Sequence, residues 1–100
     1  MNRIGYDQRR RIYQEAIEKF GVENQLYKAV EEMSELTKEI MKSFRPGETT
    51  LEKLAEECGD TLITLEQLRM IFNMNDMVCE YMDQKVEKLA EKVGISPKSL

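Results

Sequence analysis

Four stretches of helical periodicity, each cut off by a breaker, limit this chain to an all-α fold. Ile12, Tyr13, Ala16, Ile17 and Phe20 recur at helical spacing and stop at Gly21. Leu26, Ala29, Val30, Met33, Leu36, Thr37, Ile40 and Phe44 form a second stripe, broken by Arg45-Pro46-Gly47. A third run starts near Leu51 and ends at Asn73-Met74-Asn75; a fourth ends at Gly94. Sustained period-two alternation and Asn-Gly or Asp-Gly hairpin turns are missing, so strands are not expected. The spacing predicts helices over about Tyr6–Phe20, Glu23–Ser43, Leu51–Phe72 and Asp76–Val93, with a loose tail from Ile95 to Leu100. Thr49 or Thr50 is the expected cap of the third helix, with Glu52 completing a capping box on Thr49. Asn75 is the expected cap of the fourth.

The short links favour antiparallel neighbours, and the 100 residues suit one domain built as a four-helix antiparallel bundle. The back half of the third helix is apolar nearly all round: Leu62, Ile63, Leu65, Leu68, Met70, Ile71 and Phe72. A helix apolar on every side is buried on every side, and a chain this short has little room for that. Completion of the bundle by a second subunit is therefore expected. Cys58 and Cys79 form no C-x-x-C pair and read as small buried thiols of a reduced protein. No signal pattern and no membrane-length apolar run stand out, so a cytoplasmic protein with no membrane partner is expected. The net charge of −4 argues against a nucleic-acid partner held by a basic surface. With no histidine, the usual zinc sites and histidine triads are excluded.

The chemistry lies in two five-residue acidic motifs. Glu31-Glu32-Met33-Ser34-Glu35 and Glu56-Glu57-Cys58-Gly59-Asp60 both read E-E-x-x-(E/D), and their first residues are 25 positions apart. On a helical wheel, Glu32 and Glu35 flank a stripe centred near Met33, while Glu57 and Asp60 flank one centred near Cys58. Matched stripes would place both pairs at one cleft, where hard carboxylate oxygens suit magnesium. The competing reading is a solvated acidic face. Against it, Glu31/Glu35 and Glu35/Glu39 are like-charge pairs at i,i+4 and only Lys28 and Lys38 relieve them. Gly59, inside a helix, is expected to give close access to a ligand or another backbone. On the fourth helix Tyr81, Lys85, Lys88 and Lys92 make one stripe. Lysines there also complement the helix dipole, a role that needs no ligand.

At these residues the chain resembles the MazG-type all-α nucleoside triphosphate pyrophosphohydrolases. Their E-E-x-x-E motif, a variable gap, E-x-x-D and a lysine-bearing helix read here as Glu31-Glu32-x-x-Glu35, 21 intervening residues, Glu57-x-x-Asp60 and the helix of Lys85 and Lys88. Gly21 and Gln25 ahead of the first motif look similar too, and the likeness spans about Ile12 to Val93. It implies magnesium, with manganese as a substitute, on Glu32, Glu35, Glu57 and Asp60. It implies cleavage of a nucleoside triphosphate to a monophosphate and pyrophosphate, and assembly as a homodimer or homotetramer. The hydrolytic proton acceptor would be Glu31 or Glu35. Lys85 and Lys88 would hold phosphate, and Tyr81 could meet the base. Two departures stand in the last helix. Asp83 replaces the asparagine two residues before the lysine, and Lys88 stands nearest to where the family has arginine. The alternatives are a non-catalytic helical module that oligomerises, and a metal-nucleotide binder without turnover.

Overall fold

The computed structural model describes residues 3–96. Among them are four α-helices and no strand: α1 (Tyr6–Phe20), α2 (Val22–Lys42), α3 (Leu51–Ile71) and α4 (Asn75–Val93). Most of the expected tail, from Pro97 onward, lies outside the described residues.

The helix ends follow the local chemistry. Gln8 Oε1 accepts from the Gly5 amide at 3.0 Å, so a side chain satisfies the backbone just ahead of α1. Gly21 closes α1, its amide donating to the Ile17 carbonyl, and its φ of +91° turns the chain directly into α2. That φ suits glycine because no Cβ is present to clash. Thr50 caps α3 by accepting from the Lys53 amide at 3.1 Å. Thr49 makes no capping box. Its hydroxyl instead donates to Glu39 Oε1 at 2.7 Å and ties the loop back to α2. Asn75 opens α4 rather than capping it, since Met74 holds the cap position. Gly94 ends α4 in the left-handed region.

The main packing is α2 against α3. Gln25 bonds Gln67, Thr61 bonds the Glu32 carbonyl, and Thr49 bonds Glu39. These pairs run in opposite order along the two helices, so the helices are antiparallel. The seam positions on α2 are Gln25, Ala29, Glu32, Leu36 and Glu39, alternating steps of four and three; on α3 they are Leu54, Glu57, Thr61, Thr64 and Leu68. That is the spacing of a coiled-coil seam. It differs from the stripes expected on the wheel. Val30, Met33, Ile40 and Phe44 are exposed, while Glu32, Glu39, Glu57, Thr61, Thr64 and Gln67 are buried. A wheel weighted by hydrophobicity puts the apolar residues inside; in the single chain Ala29, Leu36, Leu54 and Leu68 share the inner face with a row of polar residues.

Both cysteines are exposed, which corrects the expectation of buried thiols. Cys58 shares the outer face of α3 with Leu62 and Leu65. α4 packs on α3 and has no buried residue, leaving Met82, Val86, Leu89 and Val93 open to solvent. Two magnitudes express how open the chain is. Its radius of gyration is 16.8 Å, where a compact domain of this length has about 13 Å. Its accessible surface is 8517 Å², where a folded monomer of this mass exposes about 5900 Å².

Candidate metal centre

Glu32 projects from the middle of α2, and Glu57 and Asp60 from the facing turns of α3. One carboxylate oxygen from each lies within 4.8 Å of the other two. The cause is the antiparallel register: the Thr61 hydroxyl donates to the Glu32 carbonyl at 3.2 Å and brings those turns together. Thr61 in turn is fixed by Thr64, whose hydroxyl donates to its carbonyl at 2.8 Å.

Three carboxylates this close repel one another, and the site holds them in two ways. Lys28 reaches Glu32 Oε1 at 3.1 Å and Lys53 reaches Glu57 Oε1 at 3.1 Å, each from one turn earlier on the same helix. Both lysines are raised above their ordinary pKa, first by the bond to that glutamate and then by the other acids nearby. Asp60 has no such lysine. Burial, followed by the charges of Glu32, Glu57 and Glu56, pushes its carboxyl up from the usual range. Glu57 Oε2 is buried and bonds to no protein atom. A buried carboxylate oxygen without a donor is costly in an interior. The donor set is all hard oxygen, which fits magnesium or manganese. The orphaned oxygen and the donor chemistry both fit a divalent cation on these three side chains.

Beside the cluster is a cleft of about 570 Å³ between α1, α2 and α3. Glu32, Asp60 and Lys28 form its charged edge, Phe20 and Ile63 its apolar wall, and Asn24 and Gln25 offer amides. Gln25 Nε2 is steadied by Gln67 Oε1 at 2.7 Å. Asn24 is turned back onto the Phe20 carbonyl at 2.7 Å.

The other expected site residues fall elsewhere. Glu35 is exposed and is not one of the three clustered acids. Glu31 is exposed and lies 3.8 Å from Lys28. Tyr81, Lys85 and Lys88 are exposed on α4, and none of them lines the acidic cleft. Gly59 is exposed as well, and a Cβ there would meet nothing within 4 Å. Within one chain it therefore relieves no crowding.

Sequence reasoning passed over Lys53 and gave Lys28 only a minor role, although the signal was present. The 25-residue offset that relates the two acidic motifs also relates Lys28 to Lys53, so the repeat reads K-x-x-x-E-x-x-(E/D). Gln67, Thr61 and Thr64 escape a hydrophobic pattern because they are polar residues on an inner face, and Gln25 enters the sequence reading only through the family likeness. No family model matches the chain, and neither a curated protein nor a solved structure matches it significantly.

Proposed function

We propose that this chain is a magnesium-dependent pyrophosphohydrolase of the MazG type, cleaving nucleoside triphosphates to a monophosphate and pyrophosphate. The observation that carries the reading is the clustered trio of the buried Glu32 and Glu57 and the half-buried Asp60, with the orphaned Glu57 Oε2, beside a cleft of nucleotide size that Glu32 and Asp60 line. The motif likeness, carried by the same acids, agrees with it. Glu32, Glu57 and Asp60 are the residues that would hold the metal, while Glu35 is exposed one turn beyond Glu32 on α2. A divalent ion there supplies charge neutralisation to the triphosphate and makes a bound water more acidic.

The chain's own groups divide the remaining work. Lys28, on the cleft's edge, is placed to donate to a phosphate oxygen once Glu32 turns to its ligand role. Phe20 and Ile63 offer an apolar wall to a base, and Gln25, steadied by Gln67, offers an oriented amide. For the proton acceptor, Glu31 is engaged by Lys28, whereas Glu35 makes no ion pair or hydrogen bond among the described residues. Glu35 is therefore the better candidate. Lys85, Lys88 and Tyr81 belong to α4, so their part in phosphate or base binding requires α4 of a second subunit. The open shape of the chain favours such a partner.

A panel of nucleoside triphosphates with magnesium, read by pyrophosphate release, tests the reading. Release that needs the metal supports it. No release from any of them, with no thermal shift from magnesium or manganese, favours the oligomerising module instead. A shift without product favours a binder without turnover. The module reading draws on one specific observation, the apolar face that α4 leaves uncovered.

A further inference from the structure

A second cleft, of about 780 Å³, lies where α1 meets the C-terminal end of α3 and the start of α4. Its charge is opposite to that of the first. Arg3, Arg9, Arg10 and Arg69 all line it, against one acid, Glu66. In a chain of net charge −4, four guanidinium groups in one cleft form a local reversal of sign.

Glu66 is already taken. Arg9 lies 3.7 Å from its Oε1, and Glu66 also raises the pKa of the buried Tyr13 hydroxyl. Arg10 lies over the Tyr6 ring, 5.7 Å from its centroid, and so has an aromatic partner but no anion. Arg69 is the telling residue. One arm, Nη2, sits 3.1 Å from Cys79 Sγ, a weak acceptor, and its Nε is buried without any protein partner. A guanidinium held part-buried against a thiol, with an unspent donor, lacks the acceptor its charge calls for.

The rest of the wall narrows the ligand. Ile4, Tyr6 and Met70 give the cleft an apolar, partly aromatic side, and its volume falls within the range of small-molecule sites. A bare phosphate would leave most of that space empty. We propose that this cleft binds a nucleoside monophosphate, its phosphate on Arg69, Arg10 and Arg3 and its base against the Tyr6 side. The assignment is independent of the acidic cleft and stands whether or not that cleft hydrolyses triphosphates.

The test is calorimetric titration of adenosine monophosphate into the full chain in EDTA, with pyrophosphate and adenosine as separate probes. Without a divalent ion the three clustered carboxylates repel a phosphate, so the acidic cleft contributes no affinity. Saturable binding of the monophosphate is expected, weakening as salt rises. Arg69→Gln should weaken it about tenfold or more, the scale of one charge-assisted bond. Arg69 is part-buried, so the exposed Arg3→Gln and Arg10→Gln decide the matter if that variant unfolds. Each should lower affinity with helical circular dichroism unchanged. The proposal is overturned if the monophosphate does not saturate, or if neither exposed substitution changes its affinity. Pyrophosphate or adenosine binding as tightly as the monophosphate would also overturn it.

Discussion

The α2–α3 seam and helix α4 handle the same problem in opposite ways. The seam buries Glu32, Glu39, Glu57, Thr61, Thr64 and Gln67, which are polar or charged. α4 buries nothing and exposes Met77, Met82, Val86, Leu89 and Val93. Burial of apolar surface drives folding, so a helix with that much uncovered apolar surface contributes little to holding a lone chain together. The seam, by contrast, spends its buried positions on groups that need partners. Hydrogen bonds and lysines satisfy most of them, and one oxygen is left over. The comparison indicates a division of labour. On the proposed reading the seam serves a ligand, and the stability it gives up would come from contacts made by α4 and the outer face of α3.

Breaking the seam's chemistry should have the largest effect. Glu57→Gln keeps the shape and removes a charge from the cluster. Loss of a residue behind a metal ligand costs 10–100-fold, so loss of a ligand should cut magnesium-dependent pyrophosphate release by about hundredfold or more. Circular dichroism should remain helical. Wild-type turnover in that variant would remove Glu57 from the site.

The α4 side of the contrast is tested by mass. Sedimentation should give a multiple of the 11.7 kDa chain. Leu89→Asp, on the exposed apolar face, should shift the population toward the single chain, because a charge in a covered apolar contact is strongly unfavourable. A wild-type monomer would mean that α4 is exposed by nature and that the seam must account for stability alone.

Two smaller effects refine the picture. Gln67→Leu removes the acceptor of Gln25 Nε2 and should cost about 1–2 kcal/mol in urea unfolding. It should also loosen nucleotide binding, since Gln25 faces the cleft. The contact of α1 with α3 has a pH signature. Burial first, and then Glu66, push the Tyr13 hydroxyl from 10.0 up to about 12. The folded state thus holds the proton more tightly than the unfolded one. Its stability contribution is whole below about pH 10 and is lost as pH rises toward 12. Alkaline unfolding curves of wild type and Tyr13→Phe should therefore diverge below that window and converge across it.

The helix bounds were legible in the sequence because the breakers are local. Gly21, Pro46-Gly47, Thr50 and Gly94 act through their own backbone chemistry and need no tertiary context. The inner faces were harder to read. Glu57 and Thr61 sit on the α3 seam because of how α2 packs there, while Cys58 and Leu62, the more apolar neighbours, face out. Hydrophobicity marks what favours burial, and it cannot by itself say which contact does the burying. The acids Glu32, Glu57 and Asp60 were found by their spacing, since repeat and register survive that ambiguity. The second cleft was not found, because its arginines are drawn from segments far apart in sequence: Arg3 to Arg10 at one end, Arg69 at the other.

One consequence follows from Gly21. It is the single residue between two long helices, and α1 walls both clefts, with Phe20 in the acidic one and Tyr6 and Arg10 in the basic one. α1 is thus a lever with its fulcrum at one end. Its 15 residues span about 22 Å, so a tilt of about 10° would carry the Tyr6 end roughly 4 Å and barely move Phe20. Under such a tilt the acidic cleft, by the fulcrum, would keep its form, while the basic cleft, at the far end, would change its width.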